Sequence, residues 1–286
     1  MSIGSIMNGI NSSLRNHQVA NTQHNQSIQK IASGSKYPSA SYGPAAYAII
    51  QRTYANIGAT EQANTNAQNT NAMLSTASGA AGNAVSMLSS LRSSILEAAN
   101  DTNGTTDLAA LQGTVNQTIS GLNDNVDSAT YNGMRLVDGS KTVAVQGAYG
   151  YTNVQLGNLT SQGLGLMDSE GNSTINLTDK SSLASALDTV DSALNSALDQ
   201  ATTIGAAQQG LGYQSANLTT QAENLYNTVS TEGDTDIAAE ATKLASSNTQ
   251  DQMALWAIKQ GMASLSQQTL GALNNHSRGA ALSLLS

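Results

Sequence analysis

Apolar and small side chains recur at alternating steps of four and three residues over most of this chain. That spacing is typical of helices that bury a narrow seam against a partner helix. The longest run keeps this spacing from Leu183 to Val229, with only Gln208 and Ser215 polar in the register. It corresponds to a helix of about 70 Å at 1.5 Å per residue. Asp179 is a helix-capping residue type near its start, and Gly233 is expected to end it.

Two further helices follow from the same spacing. One run begins at Leu74 and reaches Ile95, and a shorter one extends from Leu108 to Val126. Thr106 is expected to cap the shorter helix. Together with the long run, these segments predict an antiparallel helical bundle.

A different pattern separates these helices. Residues from about 131 to 167 alternate apolar and polar side chains over short stretches, and glycines interrupt them. The dipeptides Asn132-Gly133 and Asp138-Gly139 favour tight turns. This region is therefore predicted to form β-hairpins. The segment 34–44 contains both prolines of the chain and is predicted to be a non-helical connector.

The two chain ends carry seams that are apolar at their extremities and polar at their centres. Neither helix alone buries enough apolar surface to be stable, so each needs a partner, and the other end of the chain is the obvious one. The sequence Asn-Asn-His-Ser-Arg-Gly at 274–279 is expected to interrupt the C-terminal register. The predicted seam residues are Ile3, Met7, Ile10, Leu14, Ile28, Ile31, Leu244, Leu255, Ile258, Met262 and Leu265.

Composition narrows the possible functions. Aromatic residues make up 3% of the chain, which suits thin helix-packing cores better than a thick globule. The net charge of -8 argues against nucleic-acid binding, and no basic cluster is present for anionic lipid. No apolar run reaches the roughly 20 residues of a membrane span, and the N-terminus lacks the features of a cleaved secretion signal. Export would therefore use another route.

The chemistry of a catalytic or cofactor site is not evident in the sequence. His17 and His24 are seven residues apart and share a helix face, but two ligands are too few for a metal site without a nearby carboxylate. The glycine-rich stretch at 210–214 lacks the setting of a phosphate loop, and no nucleophile elbow is found. We expect no cofactor, no metal and no enzymatic activity.

Several stretches resemble bacterial flagellin, and the resemblance covers nearly the whole chain. Residues 90–123 are similar to the family segment that joins its first two bundle helices. The segment before the family's hairpins resembles ATYNGMRLV at 129–137, and the family's hairpin sequence is similar to VQLGNLTSQGLGL at 154–166. The usual C-terminus of the family resembles LSLLS at 282–286. Residues 31–49 occupy the position of the family's connector but depart from its usual sequence.

The resemblance implies a mainly α fold, a long antiparallel helical bundle or coiled coil with a small β-hairpin region and paired N- and C-terminal helices. Residues 1–33 and 236–286 would form an inner-core polymerisation domain, 34–44 the connector, and 45–235 a helical bundle domain with hairpins at about 131–167. No large outer domain is expected, only a small loop near 168–179.

The function implied is that of a flagellar filament subunit that assembles with itself into a helical polymer for motility. Hook-junction and filament-cap proteins and an export chaperone are the implied partners, and the flagellar type III route the implied export path. Arg92 matches the Arg of the surface recognised by the innate Toll-like flagellin receptor, but Ser94 and Thr114 replace its Leu and Glu. Weak activation of that receptor is therefore expected.

Three other interpretations remain open at this point. A hook-filament junction protein shares the terminal helices but is present in few copies. An enzyme would need an inserted catalytic domain, for which the chain has no room. A soluble coiled-coil adaptor would stay small in solution instead of forming fibres.

Overall fold

The computed structural model describes residues 3–147 and 150–284. The described residues form five α-helices, which are α1 (Ile3–Ser33), α2 (Pro44–Ala98), α3 (Thr105–Ser128), α4 (Leu183–Gly233) and α5 (Ile237–Leu284). Four short strands lie between α3 and α4, namely β1 (Thr130–Tyr131), β2 (Met134–Arg135), β3 (Thr142–Gly147) and β4 (Gly150–Gln155). The predicted mainly helical fold with a small β region is confirmed.

The chain divides into two compact units. Unit 1 contains Met1–Asn56 and Leu225–Ser286, and unit 2 contains Ile57–Asn224. Unit 1 therefore holds both terminal helices. The functional assignment of the predicted domains stays a prediction.

The apolar seams of α2 and α4 form the core of unit 2. The predicted α2 positions from Leu74 to Ile95 are all at most 1% exposed. The predicted α4 positions from Leu183 to Leu218 are all buried or half-buried, and α4 ends at Gly233 as expected. The 4-3 spacing identified these contacts because both helices bury one continuous stripe of leucine and small side chains.

Helix α3 completes the helical part of this core. Val115, Ile119 and Leu122 are fully buried. The cap differs from the prediction, because α3 begins at Thr105 and Gly104 precedes it. The backbone N–H of Gly104 donates to the carboxylate of Asp107 at 3.0 Å, so this acidic side chain satisfies the helix start that Thr106 was expected to cap.

The β region folds over the same core. Strands β1 and β2 pair antiparallel around Asn132 and Gly133, whose φ angles of 49° and 75° are those that an Asn-Gly turn requires. Strands β3 and β4 also pair antiparallel, with Val143 opposite Val154. The prediction of β-hairpins in this region is confirmed.

The link between the β region and α4 is small. The carboxylate of Asp168 accepts hydrogen bonds from the backbone N–H groups of Glu170 and Asn172 at 2.9 and 2.8 Å. Leu166, Ile175 and Leu177 on either side are buried in the unit 2 core. The loop is therefore folded onto the bundle, whereas the sequence predicted only that it is small.

One boundary in unit 1 needs correction, and the C-terminal helix is longer than its seam. Helix α5 continues through residues 274–279, so the polar sequence there leaves the helix unbroken, and the predicted interruption of the seam register stays a prediction. No proline or β-branched residue lies in that stretch, and its residues up to 278 are exposed to solvent, where polar side chains are compatible with a helix. The connector at 34–44 contains a 3-10 turn at Ala40–Tyr42, and Pro44 already belongs to α2 as its first residue. The last two residues of the LSLLS ending lie outside the described residues.

Candidate functional site: the terminal helix pair

Helices α1 and α5 lie antiparallel along each other in unit 1. Ile10 lies beside Gly261, His17 contacts Asp251, and Ser27 contacts Glu240. The contact therefore runs along most of α1. His17 and Asp251 lie in the middle of the pair, where both predicted seams are polar, whereas Ser27 and Glu240 form a further polar contact towards the end of α1.

The observed contact agrees with the predicted seam at every second position. Ile10, Ile31, Leu244, Ile258 and Leu265 are half-buried in the structure. The positions between them are occupied by residues one place earlier in the chain than predicted. These are Ile6, Ser13, Ala20 and Ser27 in α1, and Glu240, Ser247, Ala254 and Gly261 in α5.

The remaining predicted seam residues lie beside this contact and face solvent. Ile3, Met7, Leu14 and Ile28 in α1 are 42–50% exposed, and Leu255 and Met262 in α5 are 41% and 60% exposed. The hydrophobic pattern selected the largest side chains, whereas the helices meet along mostly small ones. As contacts in a polymer, all the predicted positions stay predictions.

Small residues matter here because they let the two backbones approach. A Cβ atom placed on Gly261 would lie 2.6 Å from Cγ1 and 3.1 Å from Cδ1 of Ile10. Carbon atoms in optimal contact are about 3.5–4.0 Å apart. With isoleucine at position 10, the observed helix separation therefore requires glycine at position 261.

Glu240 is the most deeply buried charged group described in the pair, at 5% exposure. Its carboxylate accepts a hydrogen bond from the Ser27 hydroxyl at 2.8 Å and one from the Lys243 ammonium at 3.1 Å. The Lys30 ammonium lies 3.9 Å away. Burial raises the pKa of Glu240, but these donors and the two positive charges outweigh it and hold the pKa below its ordinary value.

A second polar contact lies in the middle of the pair. Nδ1 of His17 contacts the Oδ1 carboxylate oxygen of Asp251, and both side chains are about a quarter exposed. His24 is also half-buried in α1. Among the described residues, no group of three side chains is arranged to hold a metal ion.

The segment that follows α1 is joined by backbone hydrogen bonds to the segment between α4 and α5. The Thr235 N–H donates to the Gly34 carbonyl at 2.9 Å, and the Lys36 N–H donates to the Gly233 carbonyl at 2.7 Å. Lys36 also donates from Nζ to the Thr231 carbonyl at 2.8 Å. Gly34, with φ of +68°, ends α1 in the left-handed conformation that glycine adopts without strain. We refer to these bonds as the clasp.

Much apolar surface of the pair remains uncovered. Single exposed apolar side chains are normal on soluble proteins, but a series along two helices is typical of an interaction surface. Trp256, the only tryptophan of the chain, is 65% exposed. Among the residues of these helices up to 278, the other large apolar side chains at more than 40% exposure are Ile3, Met7, Leu14, Val19, Ile28, Ile237, Met253, Leu255, Met262, Leu270 and Leu273.

Two family models match this chain. The bacterial flagellin N-terminal helical region matches residues 7–142, and the bacterial flagellin C-terminal helical region matches residues 187–273. Together they include most of both terminal helices and most of the bundle. The chain belongs to the bacterial flagellin family.

Curated relatives agree with this assignment. The flagellin of Clostridium tyrobutyricum is 32% identical over 146 residues, which is 51% of this chain and 39% of that relative. The flagellin of Halalkalibacterium halodurans is 28% identical over 82% of this chain and 86% of its own length. The flagellar filament 30.7 kDa core protein of Treponema maltophilum is 26% identical, with 78% and 82% covered. This flagellin is a structural subunit of the extracellular flagellar filament.

The structure also places the residues at which the receptor surface of flagellins was expected. Nε of Arg92 donates to the Asp191 carboxylate at 2.7 Å, so this guanidinium has a partner on α4. The hydroxyls of Ser94 and Thr114 donate to the backbone carbonyls one turn earlier in their own helices. Sequence reasoning missed Asp191, which lies between seam positions of α4 and gives no signal of its own.

No described helix of this flagellin combines the length and the apolar character needed to cross a bilayer.

Proposed function

We propose that this flagellin polymerises through the faces of α1 and α5 that point away from their mutual contact. The observation that carries the proposal is the series of exposed apolar side chains on both helices. Leu14 and Met262 lie beside the small-residue contact, and Trp256 is among the most exposed of the series. Neighbouring subunits would cover these side chains and remove their apolar surface from water.

Folding of the terminal helices is coupled to this assembly. Helix α1 orders 31 residues, yet of those described only Ile6, Ala20 and Ser27 are buried. Ordering one residue costs about 1–2 kcal/mol of conformational entropy, and α5 alone covers too little of α1 to offset that cost. The paired state is therefore stable only when neighbours cover its outer faces, and the free subunit has largely disordered ends.

The polymer is helical because its contacts join different surfaces of successive subunits. Contacts of this heterologous kind form an open filament when the rotation between subunits does not close a ring. Each added subunit buries its own exposed apolar side chains and those of its neighbours, which makes assembly cooperative.

The remaining properties in this proposal rest on family membership. The chain is a structural protein without catalytic activity, and it is exported without a cleaved signal by the flagellar type III route. Besides its own copies, its partners are hook-junction and filament-cap proteins and an export chaperone. Deletion of the gene should leave a hook with its junction intact, whereas loss of a junction protein would remove the junction itself.

Weak activation of the innate flagellin receptor is a further part of the proposal. Arg92 is held by Asp191 on the bundle, and neither Ser94 nor Thr114 offers the apolar or acidic group expected of a strongly recognised surface. Signalling by purified monomer at the level of a strongly recognised flagellin would refute this.

A single charge on the exposed face of α1 tests the polymerisation surface. Leu14→Asp should abolish sedimentable fibres, because the carboxylate would be buried without a partner at the interface. Asn195→Asp adds the same charge at an exposed polar position of α4 in unit 2, outside the proposed surface, and should allow fibres to form. Electron microscopy and sedimentation of both variants after salt-induced assembly give the answer, and equal assembly of the two would refute the proposed surface.

A further inference from the structure

Both carboxylates of the two terminal helices lie on α5, whereas basic groups lie on both helices, including Lys243 of α5 beside Glu240. Helix α1 contains Arg15, His17, His24 and Lys30 but no Asp or Glu. The carboxylates at the contact both come from α5, namely Glu240 and Asp251. The donors that meet them from the other helix, Ser27 and His17, belong to α1.

The partners of Glu240 matter for stability because its carboxylate is buried. Glu240 is 5% exposed, and its partners from α1 are the Ser27 hydroxyl and the Lys30 ammonium. A buried carboxylate that loses its partners is strongly destabilising, whereas an exposed one is not. Pairing of α5 with α1 is therefore more stable at this site than pairing of α5 with a helix that lacks these donors.

Wrong partners exist when many copies are present. The exposed and half-buried apolar side chains of α5 could pack on α5 of another copy, and those of α1 on another α1. In an α5–α5 pair, Asp251 would lose His17, and Glu240 would lose Ser27 and Lys30 and keep only Lys243 of its own helix. In an α1–α1 pair, the basic groups of the two helices would face one another without any carboxylate.

The clasp does not prevent such errors. Its hydrogen bonds join residues 34–36 to 231–235 within one chain, at the end of the pair. They hold the helix ends together but do not select what the rest of each helix contacts. A device along the contact itself is needed for that selection.

We propose that the Ser27–Glu240 and His17–Asp251 contacts form a pairing code that directs α1 to α5 and rejects α1–α1 and α5–α5 pairing between copies. Specificity of this kind comes from penalties in the wrong complex as much as from attraction in the right one. The inference deepens the proposed function, since competition among copies is greatest where subunits assemble.

Engineered cysteines can report the pairing directly, because the chain has none of its own. In the double variant Ile10→Cys with Gly261→Cys, the Cβ of Ile10 lies 4.0 Å from the Cβ position built on Gly261. That separation is within the range of about 3.5–4.5 Å found in disulfides. After oxidation, mass spectrometry of digested protein distinguishes links between positions 10 and 261 from 10–10 and 261–261 links.

The test compares this reporter chain with three derivatives of it. Glu240→Lys reverses the buried charge, and Glu240→Lys combined with Ser27→Glu restores an opposite pair with the helices exchanged. Glu223→Lys makes the same charge change at an exposed position of α4 outside the clasp and is the matched control. Circular dichroism checks that the bundle helices remain in every variant.

We expect 10–261 links to dominate in the reporter chain and in the Glu223→Lys control. Glu240→Lys should lower the ratio of 10–261 to like-with-like links by at least about tenfold, as expected when one member of a buried pair is removed. Ser27→Glu should restore most of that ratio. An unchanged ratio in Glu240→Lys, or no recovery in the exchanged pair, would overturn the pairing code.

Sedimentation of the same samples separates this inference from the proposed function. Links are mapped in both the soluble and the sedimented fractions. A reporter chain that never sediments counts against polymerisation, while its link ratios still decide on the pairing code. If fibres form and the ratio of 10–261 to like-with-like links is the same with and without Glu240→Lys, the pairing code is overturned and polymerisation stays supported.

Discussion

Gly261→Ala isolates the close approach of the terminal helices. The added methyl group would lie 2.6 Å from Cγ1 of Ile10, about 1 Å inside an optimal carbon contact. Forcing an extra methyl group into a packed contact costs about 1–3 kcal/mol. Replacing a helical glycine by alanine otherwise stabilises a helix by about 1 kcal/mol, so the two effects oppose each other at this position.

Gly9→Ala separates these effects. Gly9 lies in α1, and nothing approaches its Cβ position within 4 Å. Gly9→Ala therefore stabilises the helix through the higher helix propensity of alanine and introduces no clash. The two variants should differ by the clash alone, about 1–3 kcal/mol, which is roughly 5- to 150-fold in an equilibrium constant.

The assay is the concentration of subunit that remains soluble at equilibrium with fibres. Gly261→Ala should leave a higher soluble concentration than Gly9→Ala by that factor. Ile10→Ala combined with Gly261→Ala removes both clashing atoms and should close most of the gap. If Gly261→Ala assembles as well as Gly9→Ala, the small-residue contact is not the interface that holds α1 to α5.

Three further outcomes are expected. Lowering the pH should weaken fibres. The lowered pKa of Glu240 gives stability that is complete above the ordinary carboxyl pKa of about 4.3 and is lost as the pH falls through the folded-state pKa. Glu240→Gln should remove this part of the pH dependence of sedimentation, and an unaltered profile would contradict it. Trp256 should emit at shorter wavelength and become less accessible to acrylamide on assembly, and unchanged emission would show that its face stays in water. Ile10→Asp should prevent fibres while the circular dichroism of the bundle persists, and normal fibres would contradict the assigned contact.

The bundle was predictable from the sequence to the level of single residues. Its seams in α2, α3 and α4 consist mostly of leucine, isoleucine, valine and alanine, with Gln208 and Ser215 as polar exceptions in α4, and the seam positions in unit 2 are buried or half-buried. The Asn132-Gly133 turn was equally clear because its backbone conformation demands those residue types.

The terminal pair was predictable only in part. A hydrophobic pattern weights large side chains, so Met7, Leu14 and Met262 were placed in the contact although they lie beside it. The contact itself uses Ala20, Ser247 and Gly261, which carry little hydrophobic signal but allow close approach. The polar partners of Glu240 and Asp251 depend on how two distant segments align, which the periodicity of either helix alone does not contain.

The account depends on α1 and α5 gaining their stability from neighbouring subunits. Amide hydrogen exchange, read by mass spectrometry on peptides of α1, α5 and the bundle, measures this in the free subunit and in fibres. We predict fast exchange of the α1 and α5 amides in the free subunit, strong protection in fibres, and protection of bundle amides near Leu88 and Ile119 in both states. Equal protection of the terminal helices in the free subunit and in fibres would contradict the account.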